Sequence, residues 1–176
     1  SVIVYPLQHF MQWGTPEDVM EYNYWSKTFS HLSKAIKNDE QKYGSVVIPM
    51  AGLGQRFKDA GYKQTKPLIH VSGMSMVTQA TKDLPSANNY VFVIRSDMQG
   101  YEDVVKELKN NFSNSTIKTI DFVTEGQAKT AMIGVNEINQ SKVNNISPLT
   151  IGVCDSGAIY DKKKYEKLLQ SPNVDS

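Results

Sequence analysis

Two short, wholly apolar runs constrain this chain most: Val46-Val47-Ile48-Pro49-Met50 and Tyr90-Val91-Phe92-Val93-Ile94. A strand with one wet face alternates apolar and polar residues. These runs do not alternate, so they read as strands buried on both faces, the usual condition of a parallel sheet. Between and after them come apolar positions at helical spacing: Val77, Ala80 and Leu84, then Val104, Leu108 and Phe112, then Ala128, Ala131, Val135 and Ile138. Thr116 to Phe122 alternates and predicts a further strand, as does Leu149 to Cys154, and Lys162 to Leu169 predicts a last helix. Strand, loop and helix repeated in this way predict an α/β chain, a three-layer sandwich with a mainly parallel central sheet. Such sheets bind ligands at the carboxyl ends of their strands. That rule selects the loops after Met50 and after Cys154.

Residues 1–43 differ in texture and form a first unit, before a second over 44–176. They hold both tryptophans, Trp13 and Trp25, and the tyrosines Tyr5, Tyr22, Tyr24 and Tyr43. Val2, Val4 and Leu7 predict a short strand. Thr15-Pro16-Glu17-Asp18 predicts a helix start, with a Thr cap, Pro in the first turn and acids at the positive end of the helix dipole. Asn38-Asp39-Glu40-Gln41-Lys42 is a polar link. The aromatics Tyr5, Phe10, Trp13, Tyr22, Tyr24, Trp25 and Phe29 carry too much apolar area to stay in water. Residues 1–30 are therefore expected to pack on the 45–176 core, within the chain or exchanged with a second copy as a homodimer.

Charge and cysteine content exclude several function classes. A net charge of +1 gives no field for gathering nucleic acid or an acidic membrane surface. No apolar run approaches the roughly 20 residues that span a bilayer, and Ser1 to Pro6 has no basic region leading into an apolar stretch. The single cysteine, Cys154, permits no intrachain disulfide and fits a reducing, cytoplasmic setting. With His9, His31 and His70 scattered, a structural zinc site is not expected.

The loop Ala51-Gly52-Leu53-Gly54 follows the first buried strand. Glycines there let backbone N–H groups approach a phosphate with no Cβ in the way. The loop is not a Walker loop, since no Gly-Lys-Ser/Thr follows, and Phe57 stands where a dinucleotide fingerprint needs its third glycine. Arg56 comes two residues after Gly54, and Lys66-Pro67-Leu68 ten residues later. A triphosphate needs fixed cations along its length, and Arg and Lys supply them in different geometries. Asp155 ends the last strand, where a carboxylate can hold hydrated Mg2+. Alone, Arg56 and Lys66 would read as solvated loop charges, Asp155 as a cap, and Cys154 as an inert buried thiol.

Taken together, Pro49-Met50-Ala51-Gly52-Leu53-Gly54-Gln55-Arg56-Phe57 with Lys66-Pro67-Leu68 resembles the signature loop of sugar-phosphate nucleotidyltransferases. Thr124-Glu125-Gly126-Gln127-Ala128 resembles that family's base-recognition turn, and Cys154-Asp155-Ser156 its metal-binding strand end. The order and spacing match over residues 45–160. The resemblance implies a Rossmann-like nucleotidyltransferase fold, truncated at its C-terminal side. It implies transfer of a nucleoside monophosphate from a nucleoside triphosphate to a sugar phosphate or similar ester, with release of pyrophosphate, in polysaccharide or capsule precursor synthesis. Ala51, Gly52, Leu53 and Gly54 would then cradle the triphosphate, and Arg56 would clamp the departing phosphates. Lys66 would stabilise the α-phosphate, Gly126 and Gln127 would read the base, and Asp155 would bind Mg2+. Glu125 reads as a loop residue. Phe10 to Asp18 and Tyr24-Trp25 resemble the end of a domain of the same broad family, as in a slice from a tandem protein.

Two other classes compete. One is a nucleotide-binding or regulatory module of the same fold without catalysis. The other is a glycosyltransferase of related fold, but that class usually carries Asp-x-Asp where this chain reads Asp155-Ser156-Gly157.

Overall fold

The structure, a computed structural model, describes residues 7–29, 41–140 and 147–170. Its centre is a parallel sheet in the order β6-β5-β2-β7, formed by β2 (Ser45–Met50), β5 (Asn89–Arg95), β6 (Ser115–Ile120) and β7 (Leu149–Ile151). The two apolar runs are the adjacent strands β2 and β5, paired from Ser45↔Asn89 to Met50↔Ile94. Every residue of β2 is buried. The pleat divides their side chains between two cores. Val46, Ile48, Met50, Phe92 and Ile94 pack with Val77, Val104, Leu108 and Phe112. Those last four belong to or adjoin α3 (Met76–Lys82) and α4 (Tyr101–Asn111). Val47, Val91 and Val93 pack on the other face with Ile133, Val135 and Ile138 of α5 (Gln127–Gln140). Helices on both faces make the three layers the sequence predicts.

The strand expected over Leu149–Cys154 is shorter. Gly152 N–H still donates to Val47 C=O at 2.9 Å, but regular pairing ends at Val47↔Ile151. The next rung would need an N–H from Pro49, which has none. Cys154 and Asp155 therefore sit in the turn before β8 (Ser156–Ile159), a strand the sequence pattern does not announce. Similarly, β6 stops at Ile120, leaving Phe122 exposed. The polar stretch after Gly54 holds α2 (Gln55–Asp59), a 3-10 turn at Lys66–Leu68, and the hairpin of β3 (His70–Val71) and β4 (Met74–Ser75).

The N-terminal segment docks on the core of its own chain. The strand expected at Val2, Val4 and Leu7 falls largely on 1–6, outside the described residues. The strand that forms is β1 (His9–Gln12), antiparallel to β8 from His9↔Ile159 to Gln12↔Ser156. The helix start is as expected, giving α1 (Pro16–Phe29). Thr15 Oγ1 accepts from Asp18 N–H at 3.2 Å, and Asp18 Oδ2 accepts from Thr15 N–H at 3.0 Å, a reciprocal capping box. Trp13 and Val19 are buried against Phe57, Ile69, Val71, Met76 and Ala80, with Tyr22 beside them. The expectation that the segment's aromatics would all be covered is corrected. Phe10 on β1 stays exposed, and so do Tyr24 and Trp25, because one helix can turn only one stripe toward the core. Tyr5 and the Phe29 side chain lie outside the description. The last helix is α6 (Lys162–Leu169), capped by Asp161 Oδ1, which accepts from Lys164 N–H at 3.2 Å.

Candidate active site

A cleft of about 330 Å3 opens along the carboxyl edge of the sheet. Its wall combines the loop after β2, the residues following β5, the stretch leading into α5 and the turn after β7. It brings together Ala51, Gly52, Leu53, Gly54, Lys66, Gly126, Gln127 and Asp155 from segments up to 104 residues apart in sequence. Arg56 does not line it. Arg56 lies exposed on α2, whereas Lys58, two residues further along, does line the cleft. Glu125 also lies off the wall, ion-paired with Lys129 at 2.6 Å.

The glycine loop is open. Gly52 has no positive φ, and a Cβ built there would meet nothing within 4 Å. Neither backbone conformation nor protein packing demands glycine at 52, and its backbone faces open space. Gly54 has φ +64 and serves as the left-handed residue that starts α2, its carbonyl accepting from Phe57 N–H at 3.1 Å. Lys66 is positioned from below. Its neighbour Pro67 is buried in the 3-10 turn, and its ammonium stands 5.5 Å over the buried Phe57 ring.

Lys66 Nζ donates to Asp155 Oδ2 at 2.5 Å, with the two side chains 20% and 26% exposed. The sequence marks these residues for separate tasks, and the structure pairs them with each other. Cys154, beside them, is half-buried as a residue. Burial pushes its thiol up to about 12, and the Asp155 charge adds to this, so it is protonated at neutral pH and no nucleophile. Among the described residues no three of His, Cys, Asp and Glu cluster as a metal cage. The wall carries two carboxylates, Asp97 and Asp155, and one carboxylate completed by phosphate oxygens and water is a donor set that would suit Mg2+. His9 and His70 are exposed and away from the cleft wall.

The sequence pattern gives no notice of Arg95 and Asp97, which follow one another along the same wall. Arg95 reads there as the end of an apolar strand, and only the register of β5 with β2 puts it at the mouth of the glycine loop's cleft.

No protein-family model and no curated protein sequence matches the chain. Solved structures do. A nucleoside-diphosphate-sugar pyrophosphorylase from Vibrio cholerae RC9 is similar with a TM-score of 0.51 and 24% identity, over 62% of this chain and 46% of that one. An inositol-1-phosphate CTP transferase from T. maritima follows at TM-score 0.48 and 16% identity, over 64% and 43%. A 4-diphosphocytidyl-2C-methyl-D-erythritol synthase gives 0.43 and 11%, over 65% and 47%. The chain thus spans about half the length of the structures it matches. The first likeness shows that this chain shares the α/β fold of that pyrophosphorylase over the matched part.

Proposed function

We propose that this chain is the nucleotide-binding part of a Mg2+-dependent nucleotidyltransferase. It passes a nucleoside monophosphate from a nucleoside triphosphate to a sugar phosphate or similar phosphate ester, and releases pyrophosphate. The product class suits polysaccharide precursor synthesis. The observation that carries this reading is the single cleft in which the open glycine loop, Lys66, the Gly126-Gln127 turn and Asp155 meet.

The backbone N–H groups of the Gly52–Gly54 loop approach the triphosphate. Lys66 holds charge at the α-phosphate, and Gln127 offers its amide to the edge of the base. Arg56, exposed on α2, clamps the departing β- and γ-phosphates from outside the wall. An acceptor phosphate oxygen attacks the α-phosphorus in line, and the bond to the bridging oxygen breaks to free pyrophosphate. Such a transfer needs positioning and charge neutralisation more than a general base, which suits a wall that carries no histidine among the described residues. Mg2+ held by Asp155 would supply further neutralisation of the triphosphate.

Thermal shifts with ATP, CTP, GTP, UTP and dTTP, each with Mg2+, test the binding, since a ligand of the folded state raises its stability. Pyrophosphate release with a panel of sugar phosphates tests the chemistry. Arg56→Ala should weaken triphosphate binding far more than nucleoside binding. A chain that no triphosphate stabilises would refute the reading, and stabilisation without pyrophosphate release would leave a binding module.

A further inference from the structure

One pair on the cleft wall has no task in the chemistry above. Arg95 closes β5 and Asp97 follows in the next turn. Asp97 Oδ1 accepts from Arg95 Nε at 2.8 Å, and Oδ2 accepts from Nη2 at 2.5 Å. The Arg95 side chain is only 9% exposed, whereas that of Asp97 is 62% exposed. Among the described residues, buried Arg95 Nη1 has no hydrogen-bond partner. An unmet buried donor opposes folding, and an ion pair whose acid stands in water stabilises little. Stability therefore gives no reason for this pair. What it achieves is aim: the planar fork fixes both carboxylate oxygens and leaves each a free acceptor position.

The charge state narrows the ligand. Hydrogen bonding from Arg95 holds the Asp97 carboxyl below the usual range, so at neutral pH it only accepts. Phosphate oxygens only accept as well, so Asp97 must meet a part of the substrate that carries O–H or N–H.

Strand order then says which part. β5 lies between β2, whose exit is the glycine loop, and β6, whose exit leads to the Gly126-Gln127 turn. Ser96 N–H still donates to Ile120 C=O at 2.8 Å, which keeps the start of this segment against the end of β6. The wall thus runs from glycine loop to Asp97 to base turn. In a nucleoside triphosphate the sequence is phosphates, ribose, base, and the ribose carries hydroxyl donors.

We propose that Asp97 accepts hydrogen bonds from the ribose hydroxyls of the bound nucleotide and selects ribonucleotides over deoxyribonucleotides, with Arg95 as its positioning residue. This rests on the triphosphate reading of the cleft. Calorimetry on the full chain, with Mg2+, would compare a ribonucleoside triphosphate, its 2′-deoxy and 3′-deoxy forms, and inorganic tripolyphosphate. The parent should prefer the ribo form by about tenfold or more, the size of one lost charge-assisted hydrogen bond. Asp97→Ala, at an exposed position, should bring the ribo and deoxy forms within about twofold and leave tripolyphosphate binding unchanged. Arg95→Met keeps an apolar stem and removes the fork, and should likewise erase the preference. Arg95→Lys should erase it too, since an ammonium cannot grip both oxygens. Indifference of the parent to the sugar, or equal loss of ribo and deoxy forms in Asp97→Ala, overturns this inference alone. Absence of any triphosphate binding overturns it together with the proposed function.

Discussion

Replacing Asp155 with asparagine should make the protein bind a metal-free triphosphate more tightly. Lys66 already has a partner at 2.5 Å, three-quarters buried on the carboxylate side. A phosphate that recruits Lys66 must first take it from Asp155. An amide oxygen at 155 still accepts from the Lys66 ammonium but removes the opposite charge, which for a partly exposed pair is worth up to about 1 kcal/mol. Lys66 is then released more cheaply, by up to about fivefold in affinity. Repulsion between the carboxylate and the phosphates disappears as well, with the same sign. Calorimetry with tripolyphosphate in the presence of a chelator measures this directly. Repeated with Mg2+, the parent should tighten and Asp155→Asn should not, because its amide is a poor ligand for a hard cation. Unchanged or weaker metal-free binding in Asp155→Asn would show that Lys66 is not the group the phosphate recruits.

Burial lifts the Asp83 carboxyl from 3.8 to about 6, against the hydrogen bond that Gln79 donates to it at 2.9 Å. The folded state then holds more proton than the unfolded one between about pH 4 and pH 6, so this group's contribution falls as pH rises through that window and is flat above it. The full shift corresponds to at most about 3 kcal/mol, and partial exposure to water reduces the expectation to about 1 kcal/mol. Asp83→Asn should remove this fall and raise stability at pH 7, as read from denaturant midpoints across pH. A parallel pH profile for parent and variant would refute the assignment. Trp13 is fully buried where the N-terminal segment meets Phe57 and Met76, so Trp13→Ala should cost about 3–5 kcal/mol in chemical denaturation. A loss below about 1 kcal/mol would mean that the segment is not docked in solution. Gly134 lets α5 lie close on the sheet, since a Cβ there would come 2.5 Å from Val47 and 3.0 Å from Val93. Gly134→Ala should lose about 1–3 kcal/mol despite the better helix propensity of alanine, and a stabilised variant would refute that packing.

Local chemistry made much of the architecture legible. Non-alternating apolar runs can be satisfied only inside a sheet covered on both faces, and this is where Val46–Met50 and Tyr90–Ile94 lie. Thr15-Pro16-Glu17-Asp18 announced α1 because a capping box closes within four residues. The glycine loop, Lys66, the turn before α5 and Asp155 were visible because each has a residue type suited to phosphate, base or cation, in an order that resembles a known signature. What stayed hidden depends on partners far away in sequence. β8 is a strand because β1 lies beside it, and β7 ends early because Pro49 on the neighbouring strand has no N–H to give. Whether an aromatic of α1 is covered depends on the orientation of that helix, which turns Tyr22 toward the core and leaves Trp25 half in water.

Sequence by itself therefore determined the layers and the loops that line the cleft, since burial pattern and turn residues are properties of each segment. Only the tertiary structure decided who meets whom. It paired Lys66 with Asp155, left Arg56 off the wall, and set Asp97 between the glycine loop and the Gly126-Gln127 turn. Those relations follow from the order β6-β5-β2-β7. Strand order is fixed by the crossover connections and by the summed packing of both cores, and no single stretch of sequence carries it.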